Sequence, residues 1–164
     1  PEARAANALD QLDAALRGPL LRHGSAGYGV ARRPWNARFD DVLPTLDSLA
    51  SRGIPLAIVS NWDDRLRPLL KALRLESYFQ TIVVSCEVAF TKPSPVIFEF
   101  AAQKLGLPPQ EILHIGDHPA EDYDGATAAG FHARILDRSC SAPSPIQLTS
   151  LAALLRLVGP TASA

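Results

Sequence analysis

Residues 112–136 read ILHIGDHPAEDYDGATAAGFHARIL, and the order of residue types in this stretch decides the fold. Residues 112–115 are a short run rich in branched aliphatics, the composition of a strand covered on both faces. A polar, acidic turn follows, and residues 121–129 then read as a helix. Its small residues Gly125, Ala126, Ala128 and Ala129 allow close packing on a sheet. Gly130 stands where a helix C-terminus favours glycine, and residues 133–136 form a second apolar run. Strand, helix and strand in this order make a parallel unit. The same alternation extends upstream, with strand-like runs at 56–59 (LAIV) and 81–84 (TIVV). Leu66, Leu69, Leu70 and Leu73 fall at i, i+3, i+4 and i+7, one face of a helix. Ile97, Phe100, Ala101 and Leu105 do the same in the next helix, with Ser94 as its N-cap and Pro95 at its first position. The expected class is α/β, a doubly wound parallel sheet with helices on both faces.

The flanks and composition narrow the partners. The chain has 164 residues, 16 Lys and Arg against 17 Asp and Glu, and a net charge of −1. No broad basic field is present to attract nucleic acid or an anionic membrane surface. A spanning helix needs about 20 consecutive apolar residues, and the longest candidate, 148–158, is interrupted by Thr149, Ser150 and Arg156. Neither nucleic acid nor membrane is therefore an expected partner. The first 18 residues carry acids and lack the apolar run of a secretory signal. Cys86 and Cys140 are too few for a disulfide scaffold and wrongly spaced for zinc, and they read as two buried or half-buried reduced thiols, which suits the cytoplasm. Residues 1–36 contain an amphipathic helix marked by Leu9, Leu12 and Leu16, then a loop with Gly24, Gly27 and Gly29. They read as a helical appendage. The tail reads as a Ser/Pro-rich loop and a last helix bearing Leu148, Leu151, Leu154 and Leu155.

In a doubly wound sheet, ligands bind beyond the carboxyl ends of the strands. Three of those ends carry chemistry. Ser60 and Asn61 follow the first run, at a turn whose backbone N–H groups favour an anion. Lys92 lies beyond the second run, next to a proline. Gly116, Asp117, Glu121, Asp122 and Asp124 crowd into nine residues after the third. Two carboxylates about 4 Å apart repel by about 4 kcal/mol at an effective dielectric near 20, and a divalent cation reverses that. Oxygen ligands beside an anion-binding turn suit Mg²⁺, which takes one or two carboxylates and completes its shell with water and substrate phosphate. Asp117 and Asp122 are the candidate metal ligands. Glu121 and Asp124 also fit as acidic residues favoured at a helix N-terminus. His114 falls inside a strand pattern and reads as structural, whereas His118 reads as lining the site entrance.

Ser60-Asn61, Lys92 within TKPSP, and GDHPAEDYDGA fall in order at successive strand ends. In this the sequence resembles the haloacid dehalogenase (HAD) superfamily over about residues 38–138, and within it the REG-2-like group. The resemblance implies a Rossmann-like core and a Mg²⁺-dependent phosphatase acting on a small phosphorylated metabolite. It further implies that Ser60 and Asn61 hold the transferring phosphoryl oxygens, and that Lys92 neutralises charge on nucleophile and phosphoryl group. Lys92 and Ser60 would be the catalytic residues, with Mg²⁺ on Asp117 supported by Asp122. The Gly116-Asp117 pair favours a phosphatase over a 2-haloacid dehalogenase.

One departure matters. The first motif of the resembled family, an Asp-x-Asp pair after the first strand, supplies the covalent nucleophile that forms an aspartyl-phosphate, and no such strand precedes Ser60. The expectation is a chain whose residues 1–36 are the remnant of a helical cap and whose residues 37–164 are a HAD-like core without its first strand. Such a chain would be a fragment with little activity of its own. The alternative is a non-catalytic HAD-like binding module. Two milder departures are Ala89, where relatives often have Gly, and Ser94, where they often have Asp.

Overall fold

A computed structural model describes residues 40–158. The expected appendage at residues 1–36 lies outside the described residues, and the following statements concern Asp41 onward. The chain runs α1 (Val42–Ser51), β1 (Ala57–Ser60), α2 (Leu66–Ala72), β2 (Thr81–Val84), α3 (Ser85–Val88), α4 (Pro95–Leu105) and β3 (Leu113–Gly116). A π-helical turn (Pro119–Asp124), α5 (Gly125–Ala128), β4 (His132–Leu136), β5 (Gln147–Leu148) and a 3₁₀ helix (Leu151–Arg156) complete it.

The strands pair in parallel, as the alternation predicts. Ala57 faces Thr81 and Ser60 faces Val84 across β1–β2, while Leu113 faces His132 across β3–β4. Side chains alternate faces along a strand, and β2 displays this directly. Val83 joins a core cluster with Ile97, Phe98, Ala101, Ala126 and Phe131, whereas its neighbours Ile82 and Val84 join Leu66 and Leu70 in another. Helices therefore cover both faces, which makes the chain an α/β fold with the doubly wound layering expected.

The helices differ from their simple patterns in detail. On α2, Leu66 and Leu70 are buried but Leu69 and Leu73 are exposed, so the buried stripe is one residue pair wide. On α4, Phe98 and Ala102 join Ile97 and Ala101 in the core, and Phe100 faces outward. Ser94 and Pro95 hold the N-cap and first positions of α4, although the Ser94 hydroxyl makes no capping bond. The helix expected over residues 121–129 is a π turn followed by one short α turn. Leu148, read as part of the last helix, lies in β5 and pairs with Leu136. A two-residue strand has too short an apolar run for periodicity to reveal. Ala89 takes φ 62°, which explains the glycine preference at this position: a β-carbon costs about 1–2 kcal/mol in the left-handed region.

An unforeseen contact ties the ends of this unit together. Asp41 stands at the N-cap position of α1 but makes no side-chain cap there. Its carboxylate instead accepts hydrogen bonds from the amides of Leu151 (2.5 Å) and Ala152 (3.2 Å) and from the Arg138 guanidinium (2.9 Å). Burial pushes the Asp41 carboxyl up, but the Ala152 amide, Arg138 and the Leu151 amide outweigh it and hold it below its ordinary value. A depressed carboxylate stabilises the fold fully above the unfolded pKa and loses that effect as pH falls through the folded one. Asp41→Ala should therefore cost about 1–2 kcal/mol at pH 7. Urea titrations at pH 7 and pH 3 should show the difference between variant and parent shrinking in acid, and a constant difference would contradict the assignment.

The five strands do not form one sheet. β1 and β2 make a two-stranded sheet, and β3, β4 and β5 make a three-stranded one. Every residue of β1 and β3 is only partly buried, whereas three of the four residues of β2 are fully buried. A cavity of about 440 Å³ lies against both strands, lined by residues that include Leu46, Ile58, Leu70, Ile115, Phe131 and Leu154.

Candidate active site

The carboxyl ends of β1 and β3 and the loop after α3 converge on one polar cluster. Asn61 braces it. Its Nδ2 donates to the Lys92 carbonyl (3.0 Å) and to Glu121 Oε2 (2.8 Å), while its Oδ1 accepts from the Lys92 amide (2.7 Å). One side chain thereby joins all three loops, and the Lys92 backbone is fixed from both directions. Ser85 adds a second brace, accepting from the Trp62 amide and donating to the Trp62 carbonyl, each at 3.1 Å.

The braced loop points Lys92 at Asp122. The Lys92 ammonium pairs with Asp122 Oδ1, and the two side chains are only 11% and 4% exposed. The same oxygen lies 3.0 Å from His114 Nε2, and Oδ2 accepts from the His118 amide at 3.0 Å. Burial pushes the Asp122 carboxyl up, but His114, Lys92 and the His118 amide outweigh it and hold it far below the usual carboxylate range. Asp122 is therefore a charged anion at neutral pH, in a buried position tolerable only because every bond to it is to a donor.

Two glycines make this arrangement possible. A β-carbon at Gly116 would lie 2.0 Å from Asp122 Cγ, and one at Gly125 would lie 2.9 Å from Pro93 Cα. Gly116 thus leaves room for the carboxylate, and Gly125 lets α5 press against the residue after Lys92. Asp117, next to Gly116, is exposed beyond β3. Among the described residues, neither its carboxylate nor the Ser60 hydroxyl has a hydrogen-bond partner, so both are available to a ligand.

Of the five candidates, Asn61, Lys92 and Asp122 are thus interlocked, while Ser60 and Asp117 stand open at the ends of their strands. Sequence reasoning missed Glu121 as a partner of Asn61, because its position fits a helix-dipole charge equally well. His114, read from the sequence as structural, bonds Asp122 and meets the Phe98 ring edge-on at 5.1 Å. The His118 ring accepts from the Glu121 amide at 3.3 Å and so caps the π turn. Among the described residues no group of three or more His, Cys, Asp or Glu side chains forms a metal cage.

Lys92, the buried Asp122 and the exposed Asp117 thus gather at the strand ends of a parallel α/β fold. A family model described as haloacid dehalogenase-like hydrolase matches residues 27–130. The rhythmically expressed gene 2 protein of Drosophila melanogaster is 40% identical over 110 residues, covering 65% of this chain and 42% of that protein. Phosphoglycolate phosphatase of Escherichia coli K12 is 34% identical over 104 residues, 63% of this chain and 41% of its own length. Among solved structures, a HAD phosphatase from Thermococcus onnurineus superposes with a TM-score of 0.69 at 29% identity, over 73% of this chain and 57% of that one. This chain belongs to the haloacid dehalogenase-like hydrolase family. It spans about two fifths of the length of the curated relatives it matches.

Proposed function

We propose that the chain carries the phosphate-positioning and metal-binding part of a Mg²⁺-dependent phosphatase for a small phosphorylated metabolite. The observation that carries this reading is the braced, buried Lys92–Asp122 pair beside the open groups of Ser60 and Asp117. In phosphoryl transfer, positioning and electrostatics supply most of the rate. Lys92 would offset the negative charge of the phosphoryl group, and its fixed backbone means little reorganisation is needed. The Ser60 hydroxyl would donate to a phosphoryl oxygen. The Asn61 side chain is fully occupied, so its contribution to substrate falls to its backbone N–H. The phosphatases among its relatives support this substrate class.

The donor chemistry fits Mg²⁺ with a co-ligand. Asp117 offers a free carboxylate, and Asp122 offers the second lone pair of Oδ2. Mg²⁺ commonly uses one or two carboxylates and draws further ligands from substrate phosphate and water. Bound there, the ion would supply charge neutralisation to the phosphate.

No Asp-x-Asp pair, which carries the nucleophile in the resembled family, occurs ahead of Ser60. Covalent catalysis would need one, and we place it on a strand supplied from outside this sequence. The same absence favours a second reading, a non-catalytic binding module. A version preceded by a strand ending in Asp-x-Asp separates the two when assayed with p-nitrophenyl phosphate and Mg²⁺. Hydrolysis that falls by about 10²–10³-fold in Lys92→Ala supports the phosphatase reading. No turnover of that or natural phosphate esters supports the binding module, and chloride release from 2-chloropropionate would make the protein a dehalogenase. Among the described residues no helix is long and apolar enough to cross a membrane. Two free cysteines, Cys86 and Cys140, support our placing the protein in the cytoplasm.

A further inference from the structure

The Asn61 side chain divides its bonds between two elements. Its Nδ2 donates to the Lys92 carbonyl at 3.0 Å and to Glu121 Oε2 at 2.8 Å, and its Oδ1 accepts from the Lys92 amide at 2.7 Å. Glu121 immediately precedes Asp122 in the π turn, and Asp122 holds the Lys92 ammonium. The contacts therefore close a ring. It runs from the Lys92 ammonium to Asp122, along the chain to Glu121, across to Asn61, and back to the Lys92 backbone. The loop that carries Lys92 is thus tied to the turn that carries Asp122 in two ways, by the ion pair and by the Asn61–Glu121 bond.

A ligand acts differently on the two ties. A phosphate that draws on the Lys92 ammonium competes with the Lys92–Asp122 pair, and so does a cation that draws on Asp122. The Asn61–Glu121 bond uses neither group and is left intact. Its acceptor is well founded: Glu121 is partly buried, and its amide donates to the His118 ring at 3.3 Å, which fixes the turn from which the side chain reaches. A bond to an ionised acceptor is about twice as strong as a neutral one, which suits a tie that must hold alone.

We propose that Glu121 is a positioning residue for ligand binding at this site: through Asn61 it holds the Lys92 loop against the Asp122 turn while bound phosphate opens the Lys92–Asp122 pair. The proposal rests on the phosphate reading of the site given above. Glu121 acts only through Asn61, and its role needs an acceptor oxygen at the end of the side chain rather than a charge.

Two measurements on the chain test it: calorimetric titration of inorganic phosphate at saturating Mg²⁺, and NMR exchange of the Lys92 amide with and without both ligands. Glu121→Ala should weaken phosphate by about tenfold, as expected for one lost hydrogen bond to a charged group, whereas Glu121→Gln should stay within about twofold of the parent. In an Asn61→Ala background, Glu121→Ala should change the affinity by less than about twofold, because the partner through which it acts is already gone. The Lys92 amide should exchange at the parent rate in ligand-free Glu121→Ala and about tenfold faster than the parent once phosphate and Mg²⁺ are bound. Where the alanine variant does not fold, Glu121→Met, which keeps the length without the acceptor, takes its place.

Parent-like phosphate affinity in Glu121→Ala would overturn the positioning role while leaving the phosphate reading intact. So would a glutamine variant as weak as the alanine one, equal losses with and without Asn61, or a Lys92 amide loosened equally in both ligand states. Failure of both the alanine and methionine variants to fold would make Glu121 a structural residue and end the proposal. Absence of phosphate binding to the parent would instead remove the phosphate reading, and the positioning role with it.

Discussion

Replacing Asp122 by alanine is expected to lower the stability of the protein by about 3–5 kcal/mol, the cost of removing one member of a buried ion pair. Lys92 would keep a charge in a position where its side chain is only 11% exposed, with no anion beside it. The His114 ring and the His118 amide would lose their acceptor in the same step. The loss is large against the roughly 5–15 kcal/mol that holds a domain together. Asp122→Asn preserves the volume and one acceptor oxygen, so it should cost less than the alanine variant while still losing the ion pair. Urea unfolding of both variants against the parent measures the difference. A cost under about 1 kcal/mol for Asp122→Asn, the range of an exposed pair, would mean that Lys92 and Asp122 do not meet in the dry interior described here.

The second large effect belongs to a residue with no side chain. Gly116→Ala places a methyl group 2.0 Å from Asp122 Cγ and 2.2 Å from Oδ2, closer than any real contact allows. The carboxylate must move, and the bond from the His118 amide moves with it. Overpacking of this kind costs about 1–3 kcal/mol, and the geometry of the Lys92 pair should be lost even in molecules that remain folded. The control is Gly53→Ala. Gly53 has a left-handed backbone, φ 68°, which Gly116 does not, and nothing lies within 4 Å of its added β-carbon. If both variants unfold at the same urea concentration and both retain the chemical shifts of Asp122 and Lys92, the close approach at Gly116 is not what requires a glycine.

Four of the five strands were legible in the sequence as short runs rich in branched residues, broken only by His114 in β3 and Arg134 in β4. Even so, β1 and β3 begin one residue later than those runs suggest. Hydrogen bonding defines a strand, and hydropathy sees only burial. Ser60, Lys92 and Asp117 were legible for a different reason. A parallel sheet presents its ligand site at the carboxyl ends, so polar residues just past apolar runs stand out by position. The bracing around them was hidden. Asn61 bonds Glu121 across 60 positions and Asp41 caps a helix 110 positions away, and no local pattern encodes such pairs. The division of the strands into two sheets has no local signature and is visible only in three dimensions.

The central claim is a site that binds phosphate together with Mg²⁺ at the strand ends, and calorimetric titration of inorganic phosphate into the protein with and without Mg²⁺ tests it most directly. Phosphate should bind only when Mg²⁺ is present, and binding should be lost in Asp117→Ala and Lys92→Ala while both variants keep the parent fold by circular dichroism. Absence of Mg²⁺-dependent phosphate binding, or binding that survives both replacements unchanged, would contradict the assignment of these residues.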